Sequence, residues 1–186
     1  MTTLSIFSQE DPVNAMTVTT EFSEIRDALA AEGVQLERWE TRNLPETASA
    51  EEILAAYQPE VQRLKESWGF QNADVISLNP DHPKKEALRG KFLDEHVHSE
   101  DEVRFFVRGH GLFYLHFGEK VYALRCEQND LISVPDGTPH WFDMGPEPKF
   151  TCIRLFTNKE GWVANFTGED IASRIPRYEA LAAAGK

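Results

Sequence analysis

Residues 96–102 read His-Val-His-Ser-Glu-Asp-Glu. Side chains of an extended strand alternate faces with period two. His96 and His98 therefore point the same way, and Glu102 shares their parity. Two imidazoles and a carboxylate on one face are donor types that a divalent transition metal selects. One strand cannot surround an ion, so a further ligand must come from another element. His140, just behind the Pro/Gly turn of PDGTPH, is the best placed. Three imidazoles and one carboxylate leave open positions on an octahedral ion and a net positive charge, which favours a chelating anion. The set suits activation of an enediol or similar bidentate oxygen ligand toward dioxygen, whereas redox-inert zinc is more often tetrahedral. A lone HxH can also be surface decoration. The in-phase Glu102 and the turn-placed His140 are what favour a metal site here.

Arg104 lies two residues beyond Glu102 and shares the ligand face if no bulge intervenes. Two roles are open to it: a structural ion pair with Glu102, or a permanent charge that holds an anionic substrate on the metal. Phe142, in phase with His140, is either an apolar wall of the site or core. Val97, Val103, Phe105 and Val107 form a packing set on the opposite face. The other histidines have structural readings. His82, before a helix-starting proline, and His110, between two glycines of a turn, face solvent. His116, within LFYLHF, takes a hydrogen-bonded structural role.

These side chains need a scaffold, and the pattern changes near residue 92. From there strand-like runs alternate with turn signals: VRFFV, GHG, LFYLHF, GEK and VYALRC, then LISVP, HWFDM and KFTCIRLF. Short strands at close spacing predict an antiparallel sandwich or barrel. Earlier residues mix helix and strand. EFSEIRDALAAE (21–32) carries Phe22, Ile25 and Leu29 at helical spacing, between a Thr20 N-cap and a Gly33 stop. VQLERWE (34–40) alternates as a strand. Ser49 with Glu52 makes a capping box, and Pro59 breaks the apolar spacing of Tyr57, Val61, Leu64 and Trp68. DVISL (74–78) is a strand, and Asp81 caps a helix with Pro83 in its first turn. Thr167 and Asp170 suggest a capping box for a last helix, with LAAAGK frayed. The expectation is one domain, mainly β with α. A mixed part (1–90) packs helices on a metal-binding barrel core (91–160), and an extension (161–186) follows.

Composition bounds the function. A chain of 186 residues fits one domain. Lys plus Arg is 19 against 31 Asp plus Glu, a net charge of −12. This argues against coating nucleic acid, which needs a basic stripe, and against docking on anionic membranes. Most of the acidic excess lies before residue 100. No apolar run approaches the ~20 residues of a membrane span. MTTLSIFSQEDP has no basic n-region or long apolar h-region, so no secretory signal is visible. Cys126 and Cys152 form no CxxC and read as buried, reduced thiols of a cytoplasmic protein.

The ligand-type residues resemble the two motifs of the cupin superfamily. The first, G-x5-HxH-x3,4-E-x6-G, is matched by Gly90, His96, His98, Glu102 and Gly109. The second, G-x5-PxGxxH-x3-N, is matched by Pro135, Gly137 and His140, with Asn129 in place of its leading Gly and Met144 in place of its Asn. EHVHSEDEVRFFVRGHGLFYLHF, CEQNDLISVPDGTPHWFDMG and FTGEDIAS resemble the bacterial acireductone dioxygenase family in particular. That likeness runs from SIFSQEDP to ASRIPR, nearly the whole chain.

The resemblance implies a monomeric, cupin-type double-stranded β-helix (jelly-roll) barrel with one Fe(II) or Ni(II) held by His96, His98, Glu102 and His140. It implies a methionine-salvage enzyme that cleaves 1,2-dihydroxy-3-keto-5-methylthiopentene, bound as a dianion, with O2. The iron form would yield formate and 4-methylthio-2-oxobutanoate. The nickel form would yield CO, formate and 3-methylthiopropanoate. Arg104 matches the residue assigned to generating or stabilising the dianion. A guanidinium stays protonated, so the implied action is electrostatic lowering of the substrate pKa. Glu95 and Asp101 match positions linked in the family to metal incorporation and conformational coupling. On the residues alone, each is a solvated carboxylate or one standing behind the ligands. The alternatives are another cupin oxygenase, cleaving flavonols or β-diketones, and a non-catalytic cupin that binds a small ligand.

Overall fold

A computed structural model of the chain describes residues 1–157 and 163–184. Its strands are β1 (Thr3–Ser8), β2 (Thr17–Thr19), β3 (Gln35–Arg38), β4 (Asn72–Leu78), β5 (His96–Val97), β6 (Glu102–Phe117), β7 (Lys120–Glu127), β8 (Asp130–Val134), β9 (His140–Asp143), β10 (Phe150–Phe156) and β11 (Asn165–Phe166). Its helices are α1 (Phe22–Ala30), α2 (Ala50–Ala56), α3 (Gln58–Trp68), α4 (Lys85–Phe92), α5 (Ile171–Arg174) and α6 (Tyr178–Ala184). All the strand pairs are antiparallel.

The strands form two faces that share β6. One runs β11-β5-β9-β6-β7-β1-β2. The other runs β3-β8-β6-β10-β4. Strands β1 to β4, from the first ninety residues, complete these faces. The first half of β6 pairs with β8 and β10, and residues 110–117 pair with β7. The switch occurs at Gly109, with φ +73°, where an added Cβ would fall 1.8 Å from the Lys149 carbonyl oxygen. Only glycine fits that corner. GHG is therefore not the turn expected from the sequence: the strand bends and changes partners without reversing. His110 accordingly does not face solvent freely. Its ring stacks on Tyr178 at 5.6 Å.

Leu4, Phe106, Phe113, Leu115, Leu124 and Ile132 are among the residues of the interior between the two faces. Outside one face, Val103, Phe105 and Val107 meet Ile53, Tyr57 and Leu64 of the α2–α3 region. Outside the other, Leu112, Tyr114 and Trp141 meet Ile171 and Ile175 at the C-terminal end. Helices thus cover both faces, not the N-terminal side alone. Val97 is half-buried and stands apart from its expected packing set.

Several local signals hold. Ser49 and Glu52 form the capping box, and Tyr57 separates α2 from α3 with Pro59 in the first turn of α3. Others yield to tertiary structure. Glu21, not Thr20, stands at the N-cap of α1. Lys84, not Asp81, precedes α4. His82 is half-buried. Asp170 precedes α5 without a side-chain cap bond. Leu181–Ala184 continue α6, and 185–186 lie outside the described residues. Asn129 is the one described non-glycine residue with positive φ, +84°. Asparagine tolerates this conformation, so it serves where the second cupin motif has glycine. Met144, where that motif has asparagine, is buried in the core.

Candidate metal centre

The sheet register places the histidines. His96 of β5 pairs with His140 of β9, and His140 pairs with Leu115 of β6. Cross-strand partners share a face, so both imidazoles point inward with buried Leu115. His98 lies just past β5, and its ring is 5.0 Å from that of His96 and 5.2 Å from that of His140. Candidate ligand atoms of the three residues lie within 4.8 Å of one another. All three are nearly inaccessible to solvent.

Each Nδ1 meets a backbone carbonyl: Asp94 O at 2.8 Å from His96, Val163 O at 3.1 Å from His98, and Thr138 O at 2.7 Å from His140. A carbonyl only accepts, so in each case Nδ1–H donates and Nε2 carries the lone pair. Three imidazoles are thus fixed in the tautomer that binds a metal through Nε2. Burial pushes the pKa of His96 down to about 4 and lowers that of His98 as well. Both remain neutral, and able to ligate, at neutral pH.

Glu102 enters from the opposite face of the barrel, at the start of β6 beside Val134 of β8. Its Oε2 is 2.8 Å from His140 Nε2 and 3.6 Å from His98 Nε2. Its Oε1 is 2.6 Å from Arg104 Nε. Burial alone would raise its pKa. The Arg104 charge overrides this and holds the carboxyl far below its ordinary range. An anionic oxygen facing two Nε2 atoms whose rings donate through Nδ1 forms a cage that calls for a positive ion between them. This donor set fits a divalent transition metal.

Arg104 is 5% exposed, and its guanidinium carbon lies 4.8 Å from the Phe142 ring and 5.4 Å from the Phe113 ring. The bulge in β6 falls where β10 skips from Arg108 to Phe106. It lies beyond Arg104, so the expected parity with Glu102 survives. Phe142 is both core and wall: it packs in the interior and backs the guanidinium. Gly111 makes room for it, since a Cβ there would sit 2.3 Å from Phe142 Cζ.

The family model described as "ARD/ARD' family" matches residues 6–164. The chain belongs to that family. An acireductone dioxygenase of Marinobacter nauticus is 72% identical over 98% of each chain. One from Hahella chejuensis is 60% identical, over 97% of this chain and 98% of its own. A solved acireductone dioxygenase from Bacillus anthracis, with a cadmium ion in its active centre, superposes with TM-score 0.80 at 31% identity. That match covers 89% of this chain and 98% of the other. Family membership brings the cupin-type fold and an acireductone dioxygenase activity with it, in agreement with the β-rich architecture.

Other residues expected from the sequence support the site from behind. Glu95 is buried beside His96 and accepts from His116 Nδ1 at 2.6 Å and Thr167 Oγ1 at 2.7 Å. Burial would raise its pKa, and these two donors outweigh it and lower it. His116 has the expected structural role, with Gln9 on its other nitrogen. Asp101 is exposed and accepts from the Asp136 backbone N–H at 2.9 Å. With the Gly137 N–H donating to His98 O at 2.9 Å, it ties the HxH loop to the turn that carries His140. The carbonyls of Asp94, Thr138 and Val163 carry no sequence signal, and Thr167, expected as a cap, bonds Glu95 instead. An HxH pattern announces the ligand nitrogens but says nothing of what meets the opposite side of each ring.

Proposed function

We propose that this family member binds one Fe(II) or Ni(II) through His96, His98, His140 and Glu102 and cleaves 1,2-dihydroxy-3-keto-5-methylthiopentene with O2 in methionine salvage. The observation that carries the assignment is the convergence of three Nε2-presenting imidazoles on a carboxylate paired with Arg104. A divalent ion in that cage would chelate the enediolate oxygens and supply redox-active or Lewis-acid chemistry toward O2.

The protein residues do the rest. Arg104 keeps its proton throughout. Its charge favours loss of the enediol proton and holds the resulting anion. Phe142 and Phe113 fix the guanidinium plane and keep water from it. Glu102 remains ionised, which keeps a negative ligand in place and limits the net charge of the loaded site. The Nδ1 donors hold three rings in register, so no ligand reorients when substrate arrives.

The proposal extends to a single-domain monomer working in the cytoplasm. Cys126 and Cys152, both free and buried, are compatible with a reducing compartment. Among the described residues no helix is long and apolar enough to cross a membrane.

The test loads metal-free protein with iron or nickel, anaerobically, and supplies the acireductone and O2. Iron-loaded protein should give formate and 4-methylthio-2-oxobutanoate. Nickel-loaded protein should give CO, formate and 3-methylthiopropanoate. Identical products with no CO from nickel would contradict the metal-dependent outcome. Absence of O2 uptake with either metal would contradict the activity itself.

A further inference from the structure

We infer that Thr167 is a positioning residue of the metal centre: by pinning residues 163–167 to Glu95, it holds the carbonyl that sets the tautomer of His98. The inference rests on the metal-binding role proposed above. It starts from an asymmetry among the three histidines. His96 and His140 each direct Nδ1 to a carbonyl two residues earlier in their own segment, that of Asp94 and that of Thr138. Such a bond forms wherever the local chain folds. His98 instead reaches Val163 O, 65 residues away. Its orientation depends on a segment that must dock from elsewhere.

Among the described residues, the backbone ladder that attaches this segment is short: β11 is two residues long and pairs Asn165 with Val97 and Phe166 with His96. A ladder this short is marginal by itself. Thr167 adds backbone and side-chain bonds to Glu95 directly after it. Its N–H donates to Glu95 O at 3.1 Å, and its hydroxyl donates to Glu95 Oε1 at 2.7 Å. Glu95 is itself a rigid anchor, 2% exposed and held by His116 on its other oxygen. The hydroxyl therefore fastens the segment to a buried group next to His96, and the fastened segment presents Val163 O to His98. Without that carbonyl, the Nδ1–H form of His98 loses its advantage, and the proton moves to Nε2 in part of the molecules. A protonated Nε2 cannot ligate.

The experiment uses the full chain as wild type, Thr167→Val and Thr167→Ser. Valine keeps the volume and the backbone N–H and removes only the hydroxyl. Thr167→Ala provides a second hydroxyl-free variant without β-branching. Long-range 1H–15N spectra of the metal-free proteins report the tautomer of each histidine. Nickel release into excess chelator reports the site as a whole. In Thr167→Val and Thr167→Ala, His98 should become a tautomer mixture while His96 and His140 keep their wild-type signals. Nickel should leave about tenfold faster, the low end of the effect of outer partners on metal affinity. Thr167→Ser should match wild type in both respects. An unchanged His98 signal with unchanged nickel release would overturn the inference. So would a shift of all three histidines together, which would mean general loosening. If wild type binds no nickel, the metal assignment fails, yet the spectra still decide whether Thr167 governs His98.

Discussion

Glu102 and Arg104, at alternate positions of one strand, form an ion pair with Oε1 2.6 Å from Nε, both side chains almost wholly buried. The pairing unites the two roles that the sequence left open for Arg104. It is a structural ion pair, and it also places a fixed positive charge beside the proposed substrate position. Arg104→Met should therefore keep metal near stoichiometry at pH 7.5 while turnover falls about a hundredfold, the scale for losing one charge-stabilising group. The acid limb should also move. Arg104 depresses the pKa of Glu102, so its removal raises that pKa, and metal is lost at a higher pH than in wild type. Metal content against pH, alongside O2 uptake, checks both. Unchanged turnover would leave Arg104 with only the ion pair.

His96 and His98 are buried neutral, with the pKa of His96 near 4. Unfolded histidine titrates near 6.5. Between those values the unfolded chain binds more protons than the folded one, so metal-free protein loses stability as pH falls from about 6.5 through 4. Urea midpoints across that range should fall for wild type and fall less for His96→Ala. The same variant should contain no stoichiometric metal by elemental analysis. Full occupancy would remove His96 from the ligand set.

Gly111→Ala places a methyl group 2.3 Å from the Phe142 ring. That ring must shift, and it lies against Arg104. Overpacking of this kind costs about 1–3 kcal/mol, and turnover should fall with stability. Chemical denaturation and steady-state rates on the same preparation provide the measurement. Wild-type values in both would show that the interior has room the geometry denies.

Arg89 of α4 donates to both oxygens of Asp143, at 2.7 and 3.0 Å, and also to Glu179 of α6. Asp143 is fully buried. Arg89→Met strands its charge, although the N–H groups of Gly145 and Tyr178 still donate to it. A loss of about 3 kcal/mol is expected, read from chemical denaturation. A cost below about 1 kcal/mol would mean that the backbone donors suffice.

The candidate ligands are legible because their signals are short in sequence: HxH, an acidic residue in phase, and a histidine behind a Pro/Gly turn. Glu102 does not continue the strand of His96, as period-two parity expects. Residues 98–101 leave the strand, and Glu102 arrives because β6 begins there. Gly109 misled because glycine marks any positive φ, and a corner between sheets shares that signal with a chain reversal. Thr167 misled in a related way. Its spacing from Asp170 suits a cap, but its hydroxyl bonds Glu95 instead. Long-range partners such as Val163 O leave no trace in local pattern.

The sixteen-residue β6 pairs with four other strands across both faces. Glu102 and Arg104 sit at its beginning, in the stretch flanked by β8 and β10, so exposing their backbone would require parting the central strands of that face. His96 rests on a two-residue strand and His98 on the loop that follows. The cage resembles a vice with one jaw cast into the frame and the other mounted on small fittings. The carboxylate and the arginine thus belong to the central strand, whereas His96 and His98 hang from a short segment of chain at its edge.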